Sequence, residues 1–191
     1  MKKLVALSLA LITVFGMISV ATFAYFTDKE TSSGNRMVAG TLDLKTNEAD
    51  GVSRTLYATG MSPGATVGPI TITLKNAGTT NGATLDIVFS YAESDDITNN
   101  VVNKTADATA AVLQVTALTY DGADLLVTLT DTNGNGYVDV QDLKNANLTG
   151  QIGLAAGAAK SFVIAVRLRS ETGNDFQADG ITVTMTFTLK Q

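Results

Sequence analysis

The stretch Ile181–Leu189 (ITVTMTFTL) constrains the fold more than any other part of the chain. Apolar side chains and threonines alternate along it without exception. Because successive side chains of a β-strand point to opposite faces of the sheet, this order predicts a strand with one buried and one solvated face. A shift of one residue would expose every apolar side chain, so the register of this strand should be firmly set.

Other segments show the same alternation and are separated by turn residues. The further predicted strands are Val38–Lys45, Val52–Ala58, Pro69–Asn76, Ala83–Glu93, 111–119, Leu125–Thr130 and Ser161–Arg169. Helix is expected only as a brief stretch over Val140–Leu148, with a loop or a short helix over Ser94–Asp107. This pattern predicts an all-β, two-sheet antiparallel sandwich of jelly-roll-like form. We expect residues 38–191 to form this one domain.

The alternation also identifies candidate core residues. Those predicted to face inward are Ile70, Ile72, Leu74, Leu85, Ile87, Phe89, Tyr91, Phe162, Ile164, Val166 and Leu168. Leu113, Val115 and Ala117 mark the strand predicted at 111–119.

The N-terminus has the pattern of an export signal. Lys2 and Lys3 precede the apolar run Leu4–Val20, and small residues stand at a cleavage position after Ala24, with a second candidate after Ala21. We expect residues 1–24 to be a signal peptide and the mature protein to be secreted. The alternative is an uncleaved membrane anchor, because the apolar run is about long enough to span a bilayer.

Residues 25–37 (YFTDKETSSGNRM) follow the leader as a polar arm. Its composition alone predicts disorder. Apolar anchors at its two ends are Tyr25, Phe26, Met37 and Val38. Three alternatives stay open for the arm: it packs on its own domain, it stays unstructured, or it adds a strand to the sheet of a neighbouring copy.

Composition excludes several classes of function. The chain of 191 residues has no His and no Cys, which excludes His-based catalytic triads, thiolate chemistry and most catalytic zinc sites. A net charge of −5 disfavours a nucleic-acid partner. No pair of carboxylates is marked by the sequence as a hydrolytic centre.

The segment Asp131–Asp142 (DTNGNGYVDVQD) has the spacing of an EF-hand calcium loop. Gly136 occupies the position where such a loop turns sharply, and Asp replaces Glu at the last position. Its candidate Ca²⁺ ligands are Asp131, Asn133, Asn135, Tyr137 through its carbonyl, Asp139 and Asp142.

The expected role of this loop is structural. Lone extracellular loops of this kind bind Ca²⁺ with dissociation constants of about 10⁻⁴–10⁻³ M, so the site would be largely filled outside a cell. The alternative is an Asn/Gly-rich hairpin that binds nothing. Nearby acidic residues Glu93, Asp95 and Asp96 are expected to be a solvated loop. Asn103 and Asn147 each begin an acceptor tripeptide for N-glycosylation.

Four stretches, in order, resemble the TasA/camelysin family. They are AYFTDKE followed by VAGTLDL, the turn MSPG with ITLKNAG, and the C-terminal block GNDFQADGITVTMTFTLKQ. The junction motif is the specific part. The calcium-type loop is a departure from the family pattern. It does not change the expected fold, but it implies that this part of the chain depends on a bound metal.

The resemblance implies a jelly-roll subunit, exported through a dedicated signal peptidase and assembled head-to-tail into extracellular filaments. These are fibres of biofilm matrix or bundling pili, in which the N-terminal segment of one subunit inserts as a strand into the next and fibres associate laterally. A calcium-dependent surface adhesin is an alternative. A secreted camelysin-like protease is another, although no HExxH motif is present. We therefore expect a homopolymer and not an enzyme.

Overall fold

A computed structural model describes residues 27–28, 41–47, 49–50, 56–57, 61–95, 102–146, 148–176 and 178–191. The predicted leader 1–24 and the arm anchors Tyr25, Phe26, Met37 and Val38 lie outside the described residues, so these predictions stay open. None of the helices in these ranges is long and apolar enough to cross a membrane.

Strands make up most of the described regular structure. They are β1 (Thr27–Asp28), β2 (Leu44–Thr46), β3 (Ala49–Asp50), β4 (Leu56–Tyr57), β5 (Thr66–Asn76), β6 (Thr84–Glu93), β7 (Leu113–Tyr120), β8 (Ala123–Asp124), β9 (Leu148–Ile152), β10 (Ala159–Leu168) and β11 (Ile181–Lys190). Two short α-helices are α1 (Ala106–Ala111) and α2 (Val140–Asn145), and 3-10 turns cover Leu126–Thr128 and Asn174–Phe176.

The strands form two antiparallel sheets. One has the order β1-β11-β6-β9, with β4 also paired to β11, and the other has the order β3-β2-β5-β10-β7-β8. The predicted all-β, two-sheet antiparallel sandwich is therefore confirmed.

The core lies between the two sheets and follows the predicted alternation of β11. Every apolar residue of Ile181–Leu189 is buried. Phe187 meets Phe162 of the opposite sheet edge-to-face, with ring centroids 5.1 Å apart. Such aromatic pairs contribute roughly 0.5–1.5 kcal/mol beyond the area that they bury.

The strand predicted at 111–119 is present as β7, but Ala117 does not share the buried face of Leu113 and Val115. Val115 pairs with Val166, and Ala117 with Ala165, so β7 carries an extra residue at this point. A bulge of this kind reverses the alternation. Beyond it, Leu118 and Tyr120 are the buried residues of β7.

The prediction of a strand over Leu125–Thr130 is wrong, because Leu126–Thr128 form a 3-10 turn. Strand β8 ends at Asp124, whose Oδ1 accepts a hydrogen bond from the Leu126 N–H at 2.8 Å. The Thr128 hydroxyl then donates to the Leu125 carbonyl at 2.7 Å. These local side-chain bonds compete with strand pairing and favour the 3-10 turn.

The structure has a helix in each of the two regions where one was considered, but with other boundaries. The helix predicted over Val140–Leu148 ends at Asn145, and Leu148 begins strand β9, where it packs against the core beside Ile87. The helix within the 94–107 region begins only at Ala106, since the Thr105 hydroxyl accepts the Ala108 N–H at 3.3 Å and caps it.

Candidate metal centre and the edge of the last strand

The 131–142 loop is wrapped around the carboxylate of Asp131. This carboxylate accepts hydrogen bonds from the N–H groups of Gly134 at 2.7 Å, Asn135 at 3.2 Å and Gly136 at 2.7 Å. Gly136 has a φ of 89°, a left-handed conformation that favours glycine. The bond from the Gly136 N–H is the largest cause that lowers the pKa of Asp131, and the N–H groups of residues 133–135 help it to outweigh desolvation, which would raise this pKa.

The end of the loop is a buried pair of carboxylates. Asp139 caps α2 by accepting the Asp142 N–H at 3.1 Å, and Asp142 accepts the Asp139 N–H at 3.0 Å. Their exposed fractions are only 0% and 2%. Asp142 also accepts both the N–H and the hydroxyl of Thr132, at 2.8 and 2.6 Å, which joins the two ends of the loop.

The two asparagine amides face Asp139. The amide nitrogens of Asn133 and Asn135 donate to Asp139 Oδ2 at 2.9 and 2.6 Å. Burial raises the pKa of Asp139, and these donors only partly oppose that effect. The loop therefore gathers oxygen-bearing side chains around a buried carboxylate whose charge is poorly solvated.

The loop is fixed to the rest of the domain by three contacts. The Val115 N–H of β7 donates to the Val138 carbonyl at 2.9 Å. The Asn135 amide donates to the carbonyl of Ala111, the last residue of α1, at 3.2 Å. The guanidinium of Arg169 stacks over the Tyr137 ring, 4.1 Å from its centroid. A metal in this loop would thus be coupled to the body of the domain.

The backbone course and the oxygen set of this loop fit a Ca²⁺ ion, because all six candidate ligands lie in one loop around the left-handed Gly136. The amides of Asn133 and Asn135 would have to turn their oxygens toward the ion and release Asp139. Across the part of the chain that the structure describes, no group of three or more Asp, Glu, His or Cys side chains is placed to hold a metal on its own.

The acidic residues near the end of β6 are structural acceptors. Glu93 accepts the Ala106 N–H at 3.0 Å, at the start of α1, and Asp95 accepts the Gly180 N–H at 2.9 Å. Asp96 lies outside the described residues. Asn103 is exposed, and Asn147 lies outside the described residues.

One polar cluster gave no signal in the sequence. The Tyr91 hydroxyl donates to Asp107 at 2.5 Å, and the Lys144 ammonium lies 3.3 Å from the same carboxylate and 4.8 Å from the Tyr91 ring centroid. The Tyr91 hydrogen bond, followed by Lys144, lowers the pKa of Asp107. The cluster ties β6 to α1 and α2, and sequence spacing alone does not predict it.

Strand β11 has one fully paired side and one partly paired side. It pairs with β6 along its whole length. On the other side β1 pairs at Leu189–Lys190 and β4 at Thr182–Val183. No strand within the described ranges pairs with residues 184–188 on that side.

The fold and the loop together define an all-β sandwich protein with an oxygen-rich loop and neither His nor Cys. A family model described as camelysin metallo-endopeptidase matches residues 1–191, and the chain belongs to this family, the TasA/camelysin family. The resemblance seen at the N-terminal junction and the C-terminal block is thereby confirmed. Comparison with curated proteins finds no match.

Proposed function

We propose that the protein is the structural subunit of an extracellular filament. In this proposal residues 25–37 of one copy add a strand to the sandwich of the next copy. The observation that carries the proposal is the stretch 184–188 of β11, which lies between the pairings with β4 and β1 and which no strand of the described ranges pairs on that side. The family is the second support.

An open edge is a site for strand addition. Its unpaired N–H and C=O groups can bind the backbone of an extended peptide, and alternate side chains of that peptide supply specificity. The beginning of the arm is able to use this edge, because Thr27–Asp28 pairs with it in the antiparallel direction. A contact of this kind between copies is head-to-tail, so it propagates unless it closes.

Pairing within one chain and pairing between chains compete for the same edge. Thr27 and Asp28 pair with Lys190 and Leu189 of their own chain in the described monomer. We propose that this pairing is the state of a free subunit, and that insertion of a neighbour's arm displaces it. Export through a signal peptidase that removes residues 1–24 would release the arm outside the cell, and lateral contacts would bundle the fibres.

Proteolysis is the alternative that the family description favours. The chain has no His and no Cys and lacks the HExxH pair that places two zinc ligands on one helical face. These features support the filament proposal over a zinc protease.

The filament proposal is tested by imaging and by deletion. Mature protein is expected to form long filaments in negative-stain micrographs, whereas a chain lacking residues 25–37 is expected to stay folded and monomeric. A synthetic peptide of residues 25–37 should bind the deleted chain. Normal filaments from the deleted chain would overturn the proposal, and cleavage of casein by unassembled wild type would favour the protease.

We further propose that the 131–142 loop holds a structural Ca²⁺ ion. The side chains of Asp131, Asn133, Asn135, Asp139 and Asp142 and the carbonyl of Tyr137 would bind it. The ion would supply the positive charge that the buried Asp139 and Asp142 lack. With three carboxylates and two neutral amides, the expected affinity is modest.

The calcium proposal is tested by the gain in stability on adding Ca²⁺. At ten times the dissociation constant this gain is about 1.4 kcal/mol, measured as a rise in melting temperature. Asp131→Ala should abolish the gain. It should also lower the melting temperature without Ca²⁺, because three N–H groups lose their acceptor, so only the calcium-dependent difference is diagnostic.

The matched control is Asp121→Asn, which removes an exposed hairpin carboxylate outside the loop. This variant should show the same rise in melting temperature on adding Ca²⁺ as the wild type. A melting temperature of the wild type that is the same in Ca²⁺ and in chelator would remove the calcium proposal.

A further inference from the structure

We propose that Asn133 and Asn135 are sites of spontaneous deamidation and that the carboxylate of Asp131 protects them from it. The chain has three Asn–Gly pairs, which are Asn81–Gly82, Asn133–Gly134 and Asn135–Gly136. An asparagine is most reactive before glycine, because glycine has no side chain to hinder attack by its own nitrogen. The inference concerns the covalent chemistry of the loop itself, so it goes beyond the filament proposal and does not depend on a bound metal.

The reaction uses only groups of the chain and water. The glycine nitrogen attacks the side-chain carbonyl carbon of the preceding asparagine and forms a C–N bond. The side-chain nitrogen leaves as ammonia and takes up the proton that the glycine nitrogen gives up. Water then opens the cyclic imide at either of its carbonyls, and the product is aspartate or isoaspartate. The glycine N–H is therefore lost in the reaction, together with any hydrogen bond that it donates.

Asp131 binds both of the loop nitrogens that would attack. Its Oδ1 accepts the Gly134 N–H at 2.7 Å, and its Oδ2 accepts the Gly136 N–H at 2.7 Å. Hydrogen bonds to a charged acceptor are stronger than neutral ones, and these two exist only before the attack. Each bond therefore stabilises the intact asparagine relative to the transition state and slows the reaction roughly ten- to a hundredfold.

The hydrogen bonds of the two asparagine side chains act in both directions. Their Oδ1 atoms accept the N–H groups of Asn135 and Tyr137 at 3.1 Å, which polarises the carbonyls and favours attack. These bonds are longer and neutral, so they are weaker than the bonds to Asp131. Departure of either amide nitrogen also breaks its bond to Asp139 Oδ2, at 2.9 Å for Asn133 and 2.6 Å for Asn135. Protection is therefore the larger effect while the loop is closed.

The third Asn–Gly pair is held in a different way. Gly82 is buried, and its N–H donates to the Leu154 carbonyl at 2.8 Å. A Cβ at Gly82 would lie only 2.4 Å from the side chain of Leu189, so the core packs directly against this glycine. Gly134 and Gly136 are exposed and have open space at the same place. Asn81 is therefore protected by the sandwich itself, whereas the loop pairs depend on Asp131.

Deamidation would disrupt the loop. A carboxylate in place of the Asn135 amide would face Asp139, which is 0% exposed and now receives that amide at 2.6 Å. Two carboxylates this close repel each other. Isoaspartate would in addition lengthen the backbone by one carbon just before the left-handed Gly136. Because neither product reverts to asparagine, the loop is the place where the chain would age, and Asp131 sets the rate.

The rates are measured by peptide mapping with mass spectrometry after incubation of the protein at mildly alkaline pH in chelator. The same chain unfolded in denaturant gives the rate of each Asn–Gly pair without protection. Folded wild type should deamidate at Asn133 and Asn135 at least about tenfold more slowly than the unfolded chain. Equal rates in the folded and the unfolded chain at these two positions would overturn the proposal.

Two variants assign the protection to the carboxylate. In folded Asp131→Ala the rates at Asn133 and Asn135 should rise at least about tenfold, while the rate at Asn81 stays low. Asp131→Asn keeps one acceptor oxygen without the charge and should give intermediate rates. Unchanged rates in both variants would contradict the role of Asp131. A fall in both would contradict it as well, because it would mean that the carboxylate acts as a base that assists the attack.

Asp124→Ala is the matched control. The Asp124 carboxylate also accepts a backbone N–H, from Leu126 at 2.8 Å, but lies outside the loop. This variant should deamidate at Asn133 and Asn135 like the wild type. A variant that fails to fold is recognised by a rise at Asn81 as well, and the comparison of folded with unfolded wild type then decides. Filament formation and calcium-dependent melting are measured separately, so failure of this inference is distinguishable from failure of either proposed function.

Discussion

Thr27 lies opposite Lys190 in an antiparallel pair, so the beginning of the arm reaches the last strand of the domain. Residues paired in this way have Cα atoms about 4.5–5.5 Å apart, which is within the range for a disulfide. The pair can therefore report whether the arm is bound by its own chain or by a neighbour.

The double variant Thr27→Cys, Lys190→Cys is predicted to form a ladder of covalent multimers when filaments are oxidised. The chain has no cysteine of its own, so every disulfide is an engineered one. Non-reducing electrophoresis separates the outcomes: interchain bonds give multimers, and intrachain bonds give a monomer of altered mobility. Monomer alone from oxidised filaments would contradict the exchange of arms, and Lys190→Cys by itself should give no ladder.

Asn76→Ala is predicted to lower the free energy of unfolding by more than about 2 kcal/mol. Asn76 is 0% exposed, and its amide nitrogen donates to the carbonyls of Thr80 and Leu154 at 2.8 and 3.0 Å. Its Oδ1 accepts the Gly78 N–H at 3.0 Å. Removal of the amide leaves these buried backbone groups without their partner.

Denaturant unfolding measures this loss. The control is Asn81→Ala in the same loop, which removes one exposed bond to the Ala156 N–H at 2.9 Å and should cost less than about 1.5 kcal/mol. Equal losses for the two variants would show that Asn76 does not organise the loop.

The sandwich was predictable because its strongest signals are long and strictly periodic. The β11 pattern alone determines which face is buried, and that face is buried along the whole predicted stretch. The alternation in β7 predicted only the residues before the bulge. The sequence of β7 does not indicate the extra residue near Thr116. The bulge appears only in the pairing of β7 with its partner strand β10.

The candidate sites differ in how far sequence determines them. The 131–142 loop was predictable because its ligand positions and its glycine are close together in the chain. The Tyr91–Asp107–Lys144 cluster was not predictable, because it combines residues from elements that are far apart in sequence.

Phe187→Ala is predicted to destabilise the domain by about 3–5 kcal/mol, since it removes a fully packed ring and leaves a cavity against Phe162. Its exposed neighbour on the same strand is the control: Thr186→Ala should change the free energy of unfolding by no more than about 0.5 kcal/mol. Chemical denaturation of both variants gives the comparison. Similar losses would mean that the alternation of β11 does not determine the core.

Asp86 makes the stability of the domain depend on pH. Burial alone would raise the pKa of this carboxyl, but hydrogen bonds from Lys190 and from the Gly150 N–H at 2.9 Å outweigh burial and hold it below the usual value of 3.8. Because the folded pKa is lower than the unfolded one, the stabilisation is fully present above pH 3.8. It is lost as the pH falls through the lower, folded value.

Asp86→Asn is accordingly predicted to cost about 1–3 kcal/mol at pH 7, because the amide keeps the shape but loses the charge that Lys190 binds. The difference from wild type should shrink as the pH falls below 3.8. Melting curves of both proteins from pH 7 down to about pH 2.5 measure it. Lys190→Met should show the same trend, because it removes the cation from the same pair. If the difference between Asp86→Asn and wild type stayed constant over this range, the loss would not depend on the charge of the carboxylate, and the ion pair between β6 and β11 would have no part in stability.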